Sequence, residues 1–150
     1  MSDQSSQQRI LERLNMFVGE WNLEASFVQP AASGRAVFEW ILDGQFLSER
    51  TEVSSGAPGS IAVVGLDASD QAYTQHYFDS RGIARIYSMT FDGATWTLLR
   101  NAPDFSPLDF WQRFTATFSP DGRTITGSWE LSKDGSQWEH DFDLICRKVE

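Results

Sequence analysis

A chain of 150 residues, 41% hydrophobic and 13% aromatic, is the size of one domain around a single core and leaves no room for a second. Twelve basic against 21 acidic residues give a formal charge of −9, which repels phosphate backbones and anionic lipid headgroups and argues against nucleic-acid and membrane partners. The lone Cys146 excludes an internal disulfide and a thiolate metal cluster within one chain. With a polar Met1 to Gln8 and no apolar run longer than Ile61 to Leu66, the expected setting is the cytoplasm.

The first predicted element is a helix over residues 5–17. Ser5 and Gln8 have capping-box spacing, and Ile10, Leu11, Leu14 and Phe17 form one apolar stripe that Gly19 brings to an end. Such a stripe needs an apolar surface to cover, and the end of a barrel would provide it. Ten short runs follow, roughly 21–28, 35–42, 46–53, 61–66, 72–78, 84–91, 95–101, 110–118, 124–132 and 138–148. Each is cut off by a turn signal. Asp43-Gly44, Asp92-Gly93, Ser119-Pro120-Asp121-Gly122 and Asp134-Gly135 supply the chemistry that tight hairpins require, so neighbouring strands should run up and down. The expected fold is all-β: a single antiparallel barrel of about ten strands over 20–148, with the helix near its base. Two looser connections, Ser54 to Ser60 and Ala102 to Asp109, are candidates for gating access to the interior.

Alternation assigns inward faces to Ala36, Phe38, Trp40 and Leu42; to Tyr87, Met89 and Phe91; to Trp96 and Leu98; to Phe114, Ala116 and Phe118; and to Ile125, Gly127, Trp129 and Leu131. In the third strand Phe46, Ser48 and Arg50 compete with Leu47, Glu49 and Thr51 for the inside. Arg85, Arg100, Gln112 and His140 fall on or near the inner faces, where a wholly apolar core would not place them. Ten strands enclose more volume than their side chains readily fill, so these polar groups suggest a small apolar or acidic amphiphilic ligand, with Arg85 and Arg100 favouring an acidic head. The candidate ligand-contacting residues are Trp40, His76, Arg85, Tyr87, Arg100, Gln112, Trp129 and His140.

The helix running into Phe17-Val18-Gly19-Glu20-Trp21, the Trp40-Ile41-Leu42-Asp43-Gly44 turn, His76-Tyr77-Phe78-Asp79-Ser80, and the stretch from Ser119-Pro120-Asp121-Gly122 to Asp141-Phe142-Asp143-Leu144 resemble a bacterial family of lipocalin-like, calycin-type domains of unknown function. The resemblance covers nearly the whole chain and implies a calycin barrel whose members mostly carry no assigned activity. It also implies that Trp21 sits at the barrel base under a cation from the last strand. Strand parity gives that role to Lys148, with Arg147 on the opposite face. Fatty-acid-binding barrels, distantly similar, carry a two-helix lid between their first strands. Here only Gln29 to Gly34 is available, so the similarity is to lidless barrels of the nitrobindin type.

Nitrobindin-like barrels hold haem through a histidine on the final strand, which makes haem bound by His140 an alternative to the expectation of no cofactor. No metal site is expected. Gly-x-Ser-x-Gly, His-Glu-x-x-His, phosphate-cradling and calcium-loop motifs are absent, so no catalytic residue is assigned. The enzymatic alternative pairs His76 or His140 with Glu49 as acid and base inside the barrel. Asp141 and Asp143 are expected together on the face opposite His140. A third alternative is a homodimeric interaction module using aromatic surface such as Trp111.

Overall fold

The structure is a computed structural model that describes residues 2–26, 32–53, 58–67 and 72–149, with side chains from residue 7 in the first stretch and residue 33 in the second. Helix α1 (Ser2–Arg13) runs into a 3-10 turn at Leu14–Phe17. The strands are β1 (Gly19–Ala25), β2 (Ala32–Ile41), β3 (Phe46–Val53), β4 (Ser60–Asp67), β5 (Ala72–Asp79), β6 (Ala84–Phe91), β7 (Thr95–Arg100), β8 (Trp111–Phe118), β9 (Thr124–Ser132) and β10 (Glu139–Lys148). Each strand is antiparallel to its sequence neighbours, and β1 pairs with β10 to close the barrel. Closure leaves no sheet edge to template aggregation. The helix backbone starts three residues before the expected position, at Ser2, and the Gln29 to Ala31 part of the expected first hairpin lies outside the described residues, as do Ser54 to Ala57 of the first loose connection.

The apolar stripe of α1 and its 3-10 extension closes one end of the barrel. Ile10, Leu11, Leu14 and Phe17 are all buried, the last two completely. Phe17 meets the rings of Phe38, Phe91, Trp96 and Phe118 at centroid distances of 5.3, 4.9, 4.9 and 5.1 Å, the last three edge-on, the arrangement aromatic quadrupoles favour. The turn is fixed to the first strand where the Trp21 indole donates to the Phe17 carbonyl at 2.8 Å. Lys148 pairs with Trp21 across the β1–β10 seam and lays its Nζ 5.4 Å from the indole ring. Arg147 points the other way, donating to Glu24 at 2.9 Å. Gly19, at φ +129°, leads into this pair, and a Cβ there would stand 3.1 Å from the Lys148 side chain.

Asx-type bonds close the hairpins as the sequence signals require: Asp92 accepts from the amides of Ala94 and Thr95, Asp121 from Arg123, and Asp134 from Ser136 and Gln137. The β2–β3 turn differs from expectation. Alternation puts Leu42 inside, but β2 ends at Ile41, and Leu42 and Asp43 both adopt left-handed φ, 52° and 60°, which swings the leucine out to 69% exposure. A branched residue there is strained relative to asparagine, so Leu42→Asn is expected to raise the unfolding free energy by about 1 kcal/mol, read as a higher urea midpoint at unchanged slope. An unchanged or lower midpoint would contradict this account of the turn.

Candidate functional site

The floor packed around Phe17 fills only one half of the barrel. The other half encloses a cavity of about 480 Å³, within the range of small-molecule sites. Its lining passes from Trp96, Leu98 and Phe114 near the floor to Ala25, Ser33, Val53, Leu131 and Asp141 at the strand ends that form the mouth, with Arg81 beside them. Among the described residues no group of His, Cys, Asp and Glu is arranged to hold a metal ion.

Cross-strand register explains the polar part of the lining. Phe38, Glu49, Ala62, Tyr77 and Arg85 succeed one another across five neighbouring strands, so all of them face inward in one row. This resolves β3: Leu47 is buried and Glu49 and Thr51 line the cavity, while Arg50 is exposed. Glu49 and Arg85 stand three strand spacings apart, about 14 Å between backbones. The Glu49 carboxyl accepts one hydrogen bond, from Thr51 Oγ1 at 3.3 Å, and burial pushes it up to about 7 against the smaller lowering effect of that bond.

Nearer the mouth, four of the sequence candidates come together. Tyr87 Oη donates to Gln112 Oε1 at 2.8 Å, and Arg85 Nη1 donates to the same oxygen at 3.3 Å. The Arg85 guanidinium lies 5.7 Å from the Phe110 ring centre. Trp129 stacks edge-on to Tyr87 at 5.8 Å and closes the ring of contacts. Among the described residues no carboxylate pairs with Arg85, and its Nε is buried without an acceptor. Beside this group Tyr77 donates to Asp79 at 2.8 Å, which raises the phenol beyond what burial alone does. Burial pushes Asp79 upward, but bonds from Arg81 and Tyr77 outweigh it and hold it at about 2. The acidic Asp79 is thus tied to Arg81, and Arg85 is left as the unneutralised cation of the cavity.

The other four candidates lie elsewhere. Trp40 is near the floor, where its indole donates to Asn15 Oδ1 at 2.7 Å and helps hold the 3-10 turn in place. His76 is one residue out of phase with the inward Gln75 and Tyr77, and its strand neighbours Val63 and Ile86 are on the outer face. Arg100 is 2% exposed, as its inward parity requires, but its guanidinium is committed to Asp104 through two bonds of 2.9 Å and to the Ser106 and Pro107 carbonyls. Asp104 also accepts from the Ile86 amide, and the Arg100 hydrogen bonds hold its carboxyl far below the ordinary range. These contacts fasten the Ala102 to Asp109 connection, one of the two gating candidates, to the barrel wall.

His140 is displaced by a β-bulge. The β9–β10 register runs His140↔Glu130 and then Phe142↔Trp129, so Asp141 is an extra residue. Asp141 and Phe142 both line the cavity, while His140 turns outward and meets Asp143 at 2.8 Å on the exposed side. Asp141 and Asp143 therefore part company, against expectation. No histidine faces the cavity among the described residues, so the haem reading through His140 has no axial ligand, and the acid–base pair of Glu49 with either histidine is not formed. Trp111 is half-buried against Trp138, with Gly135 packed on its ring. Cys146 is buried, and burial first, then the Glu49 charge, pushes its thiol up to about 12, which makes it a poor nucleophile.

Sequence reasoning omitted Glu49, Tyr77 and Asp141 from the ligand set. The first two carry an alternation signal that competes with an equally regular opposite face. The third depends on a bulge that has no sequence signature here.

No family model matches the chain, and no curated protein matches it in sequence. No helix among the described residues is long and apolar enough to cross a membrane. In three dimensions the chain is similar to a solved Mycobacterium tuberculosis protein, "Crystal Structure of Rv2717c from M. tuberculosis", with a TM-score of 0.61 over 94% of this chain and 98% of that one, at 12% identity. At that identity the likeness is one of fold, and it places the chain among closed antiparallel β-barrels of matching length.

Proposed function

We propose that this barrel binds a small molecule with an apolar body and an acidic head, in the manner expected of a lipocalin-like domain. The observation that carries this reading is Arg85: a guanidinium facing a largely apolar cavity, with no carboxylate partner and no acceptor for its buried Nε among the described residues. A half-buried cation left unpaired is costly, and a ligand carboxylate or sulfonate would offset that cost by accepting two parallel hydrogen bonds. Gln112 and Tyr87 support the head group, since Gln112 Oε1 anchors Arg85 Nη1 and leaves the remaining guanidinium donors for the ligand. Leu98, Phe114, Trp129 and Leu144 supply the apolar body site. The net negative charge of the chain does not oppose this, because the local field in a low-dielectric pocket is set by its nearest charge.

The test uses 1-anilinonaphthalene-8-sulfonate as a fluorescent probe. The anionic probe is expected to brighten on binding at one site per chain, and octanoate to displace it at concentrations at which octylamine does not. In Arg85→Met the preference for the acid over the amine should vanish while the circular dichroism spectrum stays that of the parent. Displacement by octylamine as effective as by octanoate in the parent protein would overturn the assignment of the acidic head.

A further inference from the structure

The floor of the cavity is not as apolar as a fatty-acid tail would need. Glu49 lies in the same inward row as Arg85, three strands away, beside Phe38, which packs on Phe17 at the closed end. Thr51 bonds only one of its carboxyl oxygens, Oε2, leaving Oε1 without a partner among the described residues. Trp96 lines the same floor, edge-on to Phe17 at 4.9 Å, and its buried indole N–H has no acceptor. Buried polar groups are normally satisfied, so the unpartnered Trp96 N–H on the floor and the Arg85 Nε mark places where a bound molecule completes the pattern, and the Glu49 carboxyl lines the same cavity. A methyl end directed at Glu49 would strip water from the carboxyl and give nothing back.

We propose that the ligand of this barrel is polar at both ends: an acidic group held by Arg85 near the mouth, an apolar middle, and a terminal hydroxyl at the floor that hydrogen-bonds to Glu49. A hydroxyl suits this end because it both donates and accepts. It can bond the Glu49 oxygen in either protonation state and accept from a donor such as the Trp96 indole. The class implied is the hydroxylated medium-chain or arylalkyl carboxylic acid, as distinct from the simple fatty acid. This inference rests on the binding reading given above.

Calorimetric titrations of octanoate and 8-hydroxyoctanoate into the parent chain, Glu49→Leu and Arg85→Met test it. The parent is expected to bind the hydroxy acid about tenfold more tightly than octanoate. Glu49→Leu should invert that preference, because its floor is apolar, and Glu49→Gln, which keeps the shape and a hydrogen-bonding amide, should retain most of it. Arg85→Met should weaken both acids by a similar factor. A parent chain that binds octanoate as well as or better than the hydroxy acid overturns the two-ended ligand and leaves the acidic-head reading standing. A preference unchanged in Glu49→Leu removes Glu49 from the site. Failure of the parent to bind either acid overturns both readings.

Discussion

Replacing Phe17 with alanine is expected to lower the unfolding free energy by about 3–5 kcal/mol, the range for a fully buried phenylalanine whose surroundings cannot collapse. Phe17 is completely buried and is the ring on which Phe38, Phe91, Trp96 and Phe118 all converge. Those four rings sit on four different strands of a closed barrel, whose circumference is fixed by hydrogen bonding, so they cannot move in to fill the void. The loss also weakens the hold of α1, since Phe17 is the end of the stripe that docks it and its carbonyl accepts the Trp21 indole bond. Urea unfolding followed by tryptophan fluorescence should show a lower midpoint, and for a domain of this size the thermal midpoint should fall by roughly 10 °C. The exposed Leu42 provides the contrast: truncating it to alanine should cost almost nothing. A Phe17→Ala midpoint within about 1 kcal/mol of the parent would mean that the helix does not close the barrel.

The second large effect is a dependence on pH. Burial raises the Glu49 carboxyl from its ordinary 4.5 to about 7, so between those values the folded chain holds a proton that the unfolded chain has released. Stability linked to this group is fully present below pH 4.5 and is lost as pH rises through 7, because the folded state must then carry a buried negative charge or bind its proton against the gradient. A shift of that size corresponds to about 3 kcal/mol. Glu49→Gln removes the titration, so the variant should match the parent near pH 4.5 and exceed it by up to about 3 kcal/mol at pH 8. The opposite dependence belongs to Asp79, Asp104 and Asp134. Their carboxyls are held low by hydrogen bonds, so their contribution is present above the ordinary aspartate range and is lost only as pH falls through their lowered values. The two windows do not overlap, so chemical denaturation at pH 4.5, 5, 6 and 8, all above the aspartate window, reads the Glu49 contribution alone. A parent protein equally stable at pH 5 and pH 8, with no difference in Glu49→Gln, would show that the carboxyl is solvated and not enclosed.

The barrel was legible because its signals are local and repeated. Alternation locates the strands, Asp-Gly and Asx chemistry fixes the hairpins, and the stripe Ile10, Leu11, Leu14, Phe17 announces a helix with one face to bury. The inner wall was legible to the same extent: Tyr87, Gln112, Arg85 and Trp129 follow from parity, and they do meet. What escaped depends on information that parity does not contain. One inserted residue, Asp141, reverses the face of His140, and with it goes the ring that a haem or acid–base reading would need. Arg100 has the inward parity expected of it, but a partner only four residues on, Asp104, removes its charge from the cavity. Trp40 also lies on an inner face, yet too close to the closed end to meet a ligand, because alternation gives direction and not depth along the barrel axis. The face of β3, where both sets of residues alternate equally well, was settled only by pairing with β2 and β4.

The central claim is that the open half of the barrel holds an acidic molecule on Arg85. Titration of ¹³C-carboxyl-labelled octanoate into the parent chain and Arg85→Met, followed by carbon NMR of the label, tests it most directly. A bound carboxylate resonance displaced from that of free octanoate, saturating at one molecule per chain and lost in Arg85→Met, is the expected result. A label that keeps its free shift in the parent chain, or a displaced resonance that persists unchanged in Arg85→Met, would contradict the claim.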